Sequence, residues 1–319
     1  MILDTASMYF RSFYGLPSSM TSPDGRPVNA VRGLLDSIAR LVEQYQPNQL
    51  ACAWDNDWRP AWRVELVPTY KTHRVADGGA GDDQAAQLGV VGAGALAATG
   101  GLAEESPEGL APQVLIIREV LTAVGIPIVG VDGYEADDVI GSLASQSQVP
   151  ALAVTGDRDL FQLADGNTRV IYIGKGVAKH DLVDDEWVFS KYGVHAAQYV
   201  DFAVLRGDPS DGLPGVKGIG DKSAAQLVAR FGDLEGMLAA AGDPDSGMSP
   251  GLASKLGAAI DYLGPAREVV AVVRDLPVGG LDLRVGSDRV DVDACARLAE
   301  QHGLGSSMER ILAALAKVS

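Results

Sequence analysis

Cysteine is scarce in this sequence, and long apolar runs are missing from it. Cys52 and Cys295 are the two cysteines among 319 residues, and they lie far apart with no Cys-x-x-Cys pair. That spacing argues against a disulfide framework or a structural zinc site and fits a reducing cytosol. The chain shows no basic leader and no uninterrupted apolar run of membrane-spanning length. We therefore expect a cytoplasmic protein without a membrane partner.

Basic residues are also in deficit, because 26 Lys and Arg stand against 42 Asp and Glu, giving a formal net charge of −16. A nucleic-acid partner usually shows itself as a basic surface, so the total charge at first argues against one. Bound divalent cations would offset part of the acid total, however, and the bases gather in two groups. The groups are Arg59, Arg63, Lys71 and Arg74, and then Lys217, Lys222 and Arg230. On charge alone, ordinary solvated side chains are the simpler interpretation.

Acidic residues stand where short apolar runs end, and this is the most informative pattern of the chain. The runs 1–3, 50–54, 126–131 and 151–156 alternate with helical patterns such as that of 29–45. Short apolar runs between helices are typical of buried parallel strands. The order predicts an α/β fold with a mostly parallel central sheet, flanked by helices and joined by right-handed crossovers.

Nine carboxylates lie at these strand ends and in one later loop. They are Asp4, Asp55, Glu135, Asp137, Asp138, Asp157, Asp159, Asp208 and Asp211. Ligands of such sheets bind beyond the carboxyl ends of the strands, so the acids should meet at one edge. Crowded carboxylates repel one another unless cations neutralise them, and oxygen ligands suit hard ions such as Mg²⁺ or Mn²⁺. Each acid group could instead cap a helix or form a turn, but five such coincidences in register are improbable.

The second half of the chain contains a glycine-rich segment, 213–220, which we call the hairpin. It follows a helical pattern at about 196–206 and directly precedes an amphipathic helix. Glycines on both arms expose successive backbone N–H groups at a helix N-terminus, an arrangement suited to phosphate. Gly218-x-Gly220 also resembles a dinucleotide-binding fingerprint, but no strand precedes it, so that alternative is weak. The pattern predicts a helix-hairpin-helix module.

The composition changes between residues 77 and 112. Gly and Ala supply 18 of these 36 residues, six are acidic, and none is Lys or Arg. A long segment of this kind inside a compact fold is usually functional or disordered. We expect a mobile insertion without basic side chains to hold a phosphate backbone.

Six motifs follow one another in an order that resembles a known family. They are Leu3-Asp4, Trp54-Asp55, Tyr70-Lys71-Thr-His-Arg74, Glu135-Ala-Asp137-Asp138, Thr155-Gly-Asp157-Arg-Asp159, and the run from Gly207-Asp208 through Asp211 to Gly220. Together they are similar to the 5′-nuclease superfamily of bacterial and phage flap endonucleases. That superfamily includes the 5′-exonuclease domain at the amino end of many bacterial type A DNA polymerases. The ordered agreement is specific, whereas any single motif would be weak.

The resemblance implies a fold and a division into domains. A PIN-like catalytic domain would span 1–193 and include a mobile arch insertion at 59–112. A helical DNA-binding region would span 194–319, with a helix–three-turn–helix element at about 196–231. The Gly/Ala-rich acidic stretch departs from the basic or aromatic arch of the family, and the tail of the chain matches poorly.

The resemblance also implies roles for individual residues around two or more Mg²⁺ or Mn²⁺ ions. The first ion would be held by Asp4, Asp55, Glu135 and Asp137, a second by Asp157, Asp159 and Asp208, with Asp138 and Asp211 as extra acids of the metal site. Lys71 and Arg74 would be catalytic residues at the base of the arch, where they stabilise charge on the scissile phosphate.

Further residues would contact DNA or a K⁺ ion at the hairpin. The DNA contacts would be Tyr14, Arg63, Tyr70, Lys217, Gly218, Gly220 and Lys222, and the potassium site would be formed by Val216, Ile219 and Ser223. The two tyrosines would stack on an unpaired base. A buried position in the core is the blander alternative for both tyrosines.

The implied function is a structure-specific 5′ nuclease, both 5′-flap endonuclease and 5′-to-3′ exonuclease, leaving 5′-phosphate and 3′-hydroxyl ends in DNA replication and repair. Its partner would be branched or 5′-flapped duplex DNA, with DNA polymerase and ligase as noncovalent partners, and we expect a nucleoid-associated monomer. One alternative is a catalytically idle protein that holds branched DNA. Another is a small-molecule enzyme, such as a metal-dependent phosphatase or a dinucleotide oxidoreductase. Intact acids disfavour the first alternative, and the hairpin disfavours the second.

Overall fold

A six-stranded sheet forms the centre of the molecule in the computed structural model, which describes residues 1–75 and 107–318. In chain order the strands are β1 (Ile2–Asp4), β2 (Ala51–Ala53), β3 (Ile128–Val129), β4 (Ala151–Thr155), β5 (Thr168–Tyr172) and β6 (Asp181–Val183). Their spatial order is β3-β2-β1-β4-β5-β6, and neighbours are parallel except β5 and β6. The predicted mostly parallel sheet is thus confirmed, with an antiparallel edge strand that the sequence pattern does not indicate.

Helices cover both faces of this sheet and continue beyond it. Those of the first half are α1 (Thr5–Gly15), α2 (Asn29–Tyr45), α3 (Ala61–Leu66), α4 (Ala111–Ala123), α5 (Ala136–Gln146) and α6 (Asp185–Tyr192). Those of the second half are α7 (Tyr199–Arg206), α8 (Asp221–Phe231), α9 (Leu234–Gly242), α10 (Pro250–Ala258), α11 (Ile260–Val270), α12 (Val292–His302) and α13 (Gly305–Leu315). Among the described helices, none combines the length and apolar character needed to cross a bilayer. The predicted arch falls largely on residues 76–106, which lie outside the described residues.

The core lies on both faces of the sheet because successive strand residues alternate sides. Leu3 pairs in register with Cys52 and Val154, and all three belong to one buried cluster with α2 and α4. Ile2 belongs to the opposite cluster, which includes Val139 of α5. Burial on both faces explains why the strands read as uninterrupted apolar runs. The same arrangement leaves the strand ends, where the acids stand, at the edge of the sheet.

The C-terminal helices α12 and α13 pack against the sheet side of the molecule. Met308 and Ile311 lie in the same buried cluster as Leu34 and Ile38 of α2, and Arg310 Nε donates a 2.9 Å hydrogen bond to Asp36. The expected division assigned the whole of 194–319 to a DNA-binding region. In the structure the apolar face of α13 packs over α2.

Candidate active site

One cavity of about 400 Å³ opens where the parallel strands β1, β2 and β4 end. Its acidic lining consists of Asp4, Asp55, Glu135, Asp137, Asp157 and Asp208, and its basic lining includes Lys71 and Arg74. The first strands deliver their acids to the same edge because they run in the same direction. The structure therefore brings six of the nine predicted acids and both predicted catalytic bases around one space.

Asp4 is held firmly at the end of β1. One carboxylate oxygen caps α1 by accepting a 2.9 Å hydrogen bond from Ser7 N, and the other accepts a 2.7 Å bond from Thr155 Oγ1. Burial, with the neighbouring charges of Asp55 and Asp157, raises the pKa of Asp4 to about 7. A buried carboxylate of this kind is costly to ionise unless a cation compensates it.

Asp137 and Asp159 experience the same electrostatic conflict. Burial and the charge of Asp157 raise the pKa of Asp137 and of Asp159 well above the ordinary value. Asp159 Oδ1 is also buried without a hydrogen-bond partner among the described residues. It lies with Asp211 beside a smaller space of about 20 Å³ behind the main cavity. The nearby positive charges, Lys71 for Asp137 and Arg206 for Asp159, do not offset this burial and repulsion.

This set of residues fits a divalent-ion site by its chemistry. A cation would stabilise the ionised forms that burial and mutual repulsion disfavour, and all of the donors are oxygens. Within 1–75 and 107–318, no three His, Cys, Asp or Glu side chains already stand close enough to hold an ion.

Glu135 carries a different environment from the other acids, because three donors surround it. Arg63 and Lys71 form ion pairs with it, and Tyr70 Oη donates a 2.6 Å hydrogen bond. Burial alone would raise the pKa of Glu135, but the charges of Lys71 and Arg63 hold it below its usual value. Glu135 is therefore ionised in this arrangement and joins the acid cluster to the predicted base of the arch.

Arg63, Tyr70 and Asp138, which the sequence places at the site, are buried in the structure. Asp138 is fully buried and binds Arg63 through two hydrogen bonds of 2.7 and 2.8 Å, and it also accepts from Val273 N. Its oxygens are occupied, so it supports Arg63 and the start of α5 without lining the cavity. Arg63 and Tyr70 are 2% and 4% exposed. Neither side chain is accessible to DNA in this conformation, and their DNA contacts stay predictions.

Lys71 and Arg74 approach the acids from the segment after α3. Lys71 has a left-handed backbone, φ 48°, and its N–H donates to Asp211 O at 2.9 Å. Arg74 donates to Asp211 Oδ1 and Ser210 O, both at 2.8 Å. Asp211 is thus engaged by Arg74, while Asp208 lines the main cavity and accepts from Ser210 N at 2.8 Å. The two loops hold each other in place.

The hairpin leaves the same loop that carries Asp208. Asp208 and Leu213 exchange backbone hydrogen bonds of 2.9 Å in both directions. Gly215, at φ 66°, packs closely on the backbone of Arg206. A Cβ added to Gly215 would lie 2.5 Å from the carbonyl oxygen of Arg206. The side chains of Val216 and Ile219 are buried and anchor the turn. The remaining predicted contact residues stand at the surface: Lys217, Gly218, Gly220, Lys222 and Ser223.

One further predicted residue is exposed, and several residues of the site were not predicted. Tyr14 is 72% exposed, so it is accessible, and the core alternative is wrong for it. The sequence interpretation missed Thr155, which donates to Asp4 and accepts from Asp157 N at 2.9 Å. It also missed the aromatic wall of the cavity, formed by Tyr9, Phe10, Trp54 and Trp58. In the sequence, the hydroxyl residue directly before Gly156-Asp157 is the signal that could have indicated Thr155 as a partner of these acids.

Solved structures share this fold. The crystal structure of the T5 D15 protein co-crystallised with metal ions has a TM-score of 0.60 at 18% identity, covering 99% of this chain and 98% of its own. The catalytic core of Rad2 in complex with DNA substrate has a TM-score of 0.60 at 16% identity, covering 98% of this chain and 92% of its own. At these identities the likeness establishes the architecture, an α/β sheet fold with a helical C-terminal region.

Sequence relatives establish more than the architecture. A 5′-3′ exonuclease of Streptomyces coelicolor is 49% identical over 99% of both chains, and one of Mycobacterium tuberculosis is 46% identical over 99% of this chain and 97% of its own. DNA polymerase I of Mycobacterium bovis is 34% identical over 87% of this chain and 27% of the polymerase. The family model "5′-3′ exonuclease, N-terminal resolvase-like domain" matches residues 1–193, and "5′-3′ exonuclease, C-terminal SAM fold" matches 194–287. The chain belongs to the 5′-3′ exonuclease family, as the order of its motifs indicated.

Proposed function

We propose that this protein is a structure-specific 5′ nuclease that hydrolyses DNA phosphodiesters at 5′ flaps and 5′ ends. One observation carries the proposal: the loop that delivers Asp208 to the acid cavity continues directly into the hairpin. The paired hydrogen bonds between Asp208 and Leu213 fix that junction. A phosphate backbone held at the hairpin would therefore be presented at a set distance from the carboxylates.

The chain's own residues would supply the ligands of the ions and the positive charge beside the scissile phosphate. Asp4, Asp55, Glu135, Asp137, Asp157, Asp159 and Asp208 would hold two or more divalent ions, with Mg²⁺ or Mn²⁺ as the proposed species. Such ions, when bound, activate a water nucleophile and clamp the attacking and leaving oxygens. Lys71 and Arg74 would place positive charge beside the scissile phosphate and stabilise the charge that develops on it. Hydrolysis would leave 5′-phosphate and 3′-hydroxyl ends.

The hairpin would hold duplex DNA by its backbone. Lys217 and Lys222 would contact phosphates, and the amides of Gly218 and Gly220 would donate to them. Val216 and Ile219 would offer carbonyl oxygens, and Ser223 its hydroxyl, to a K⁺ ion shared with the DNA. These contacts read no bases, so the substrate would be chosen by its branched shape. Tyr14 is exposed and would stack on an unpaired base.

A cleavage assay tests the function. We expect wild type with Mg²⁺ or Mn²⁺ to cut a 5′-labelled flap near the branch, and excess chelator to abolish cutting. Asp137→Asn should reduce cutting to background, because Asp137 lines the cavity and its carboxylate, which burial and the charge of Asp157 disfavour, would be ionised by binding the cation. Asp165→Asn is the matched control, since Asp165 is an exposed turn residue. No metal-dependent cutting by wild type, or equal activity in Asp137→Asn, would refute the assignment. Binding of the flap without cutting would indicate the idle alternative.

Partners are proposed on the same basis. The match to DNA polymerase I of Mycobacterium bovis spans 27% of the polymerase. We propose DNA polymerase and ligase as noncovalent partners that act on the same DNA. We also propose that the protein acts as a monomer.

A further inference from the structure

Arg206, the last residue of α7, has an unusual position at the edge of the acid cluster. Its Nε donates to Gly207 O at 3.1 Å, but Nη1 and Nη2 are buried and make no hydrogen bond to the described residues. Its side chain is 11% exposed. A buried guanidinium without partners is costly, so its charge must be balanced by nearby anions.

The nearest anions are the acids proposed for the second ion. Nη2 lies 3.7 Å from Asp208 Oδ2. The other oxygen of Asp208 is already occupied by Ser210. Arg206 also interacts electrostatically with Asp159, whose Oδ1 is buried without a partner in the described part of the chain. Arg206 therefore forms a long ion pair with Asp208, without a hydrogen bond, beside the acids proposed for the second ion.

Arg206 differs from Arg63, Lys71 and Arg74. Arg63 and Lys71 form direct ion pairs with Glu135, and Arg74 forms one with Asp211. Arg206 instead rests against the ring of Phe202, 5.4 Å from its centroid, with Asp221 3.9 Å from its Nε. Its ion pairs with Asp208 and Asp221 are long, and it donates no hydrogen bond to either carboxylate.

We propose that Arg206 is an internal counter-charge for Asp159 and Asp208 and that it weakens the binding of a divalent ion to them. This inference rests on the proposed function, because it takes these acids to be ion ligands. A fixed positive charge a few ångströms from a cation site opposes the incoming ion by Coulomb repulsion. Arg206 would thus set the ion concentration at which this half of the site fills.

Direct titration with Mn²⁺ tests the inference without relying on catalysis. Free Mn²⁺ is followed by electron paramagnetic resonance against wild type, Arg206→Gln, Arg206→Lys and Arg284→Gln. Arg284 is the matched control because it is exposed and pairs with Asp282. In Arg206→Gln we expect the weaker class of sites to bind Mn²⁺ about tenfold more tightly. Arg206→Lys and Arg284→Gln should titrate like wild type.

The outcomes separate the inference from the function on which it rests. Unchanged or weaker Mn²⁺ binding in Arg206→Gln, with a thermal melt like that of wild type, overturns the counter-charge role while leaving the nuclease intact. If Arg206→Gln does not fold, Arg206→Met replaces it, because its apolar side chain can keep the contact with Phe202 without the charge, and the same tighter Mn²⁺ binding is expected. Wild type that binds no Mn²⁺ sinks both the ion site and the inference. Tighter binding in Arg206→Gln supports the inference even if no flap is cut.

Discussion

Lys71 is the residue in which backbone and electrostatics act together. Its left-handed φ of 48° is uncommon for a side chain with a Cβ. The backbone bond to Asp211 O helps to hold this conformation. The side chain pairs with Glu135, and although burial alone would lower the pKa of Lys71, the charge of Glu135 raises it well above the usual value. Lys71 therefore stays charged at the wall of the cavity at any physiological pH.

Replacing Lys71 should slow chemistry more than binding. In Lys71→Met we expect the single-turnover rate of flap cleavage to fall about a hundredfold, because the variant loses one of the two cations proposed to stabilise the developing phosphate charge. The dissociation constant for the flap, measured by fluorescence anisotropy in Ca²⁺, should change little. Lys179→Met is the control, because Lys179 is exposed in a turn outside the cavity lining. A single-turnover rate equal to that of wild type would remove Lys71 from the catalytic machinery.

Arg63 should prove structural. In Arg63→Met we expect the free energy of unfolding in urea to fall by about 3–5 kcal/mol, because Asp138 is left as an unpaired buried charge. In the double variant Arg63→Met/Asp138→Asn the decrease should be smaller than the sum of the two single decreases, since neither charge remains. Arg284→Met, a change at an exposed ion pair, should alter stability by less than about 1 kcal/mol. Additive decreases in the double variant would show that the two residues do not act as a pair.

The burial of Arg63 illustrates what a sequence cannot reveal. Its partners Glu135 and Asp138 lie 72 and 75 residues further along the chain, and no local pattern relates them. In the sequence, Arg63 looks like one of a group of solvated bases around a short helix. Only the docking of α3 on the start of α5 and the end of α11, where Arg63 donates to Val269 O, makes it a core residue.

Helices and strands with a regular apolar pattern could be predicted from the sequence. Elements whose position depends on pairing with distant parts of the chain could not. The bounds of α2 agree with the predicted 29–45 because Val31, Leu34, Leu35 and Ile38 repeat at helical spacing and are all buried. The strands β1 and β4 were likewise marked by apolar runs that end at acids. Strand β6 is half exposed and pairs with β5 through a turn, so its three residues carry no comparable apolar run. Helix α13 looks independent in the sequence because α2, the helix on which it packs, lies about 270 residues earlier in the chain.

The hairpin predicts a binding defect that spares chemistry. In the double variant Lys217→Ala/Lys222→Ala we expect weaker flap binding and a salt dependence of log Kd reduced by about two, one for each phosphate that the variant no longer neutralises. At saturating enzyme the single-turnover rate should match wild type, because neither lysine lines the cavity. The control is Lys175→Ala/Lys191→Ala, which removes two exposed lysines elsewhere. An unchanged salt slope would mean that DNA does not lie over the hairpin.

At the scale of the whole molecule, the acid excess has a specific location. The net charge of −16 includes a cluster of carboxylates that burial forces together, and burial raises the pKa of Asp55 and of Asp211 as well as that of Asp4. Folding therefore concentrates negative charge at the site where the sheet ends. The protein gains stability there only when protons or cations neutralise that charge.

This cluster predicts a stability that falls with pH when metal is removed. Asp4 has a folded pKa of about 7 against an ordinary value of 3.8, so its stabilising contribution is complete below about pH 4 and disappears as pH rises through 7. The acids with raised pKa act in the same direction. The amino group of Met1, with a pKa lowered to about 6 by burial, and His302, whose pKa burial also lowers, act in the opposite direction. Because the acids outnumber these two bases, we expect the melting temperature in chelator to fall between pH 5 and pH 8.

Divalent ions should reverse that decrease. Mg²⁺ or Mn²⁺ binds the ionised carboxylates of the folded state, so the rise in melting temperature on adding metal should be larger at pH 8 than at pH 5. Differential scanning fluorimetry with and without chelator across this pH range measures both effects. Asp4→Asn should flatten the pH dependence in chelator, while Asp165→Asn should reproduce wild type. A metal effect of equal size at pH 5 and pH 8 would show that the buried acids are not the groups that bind the ion.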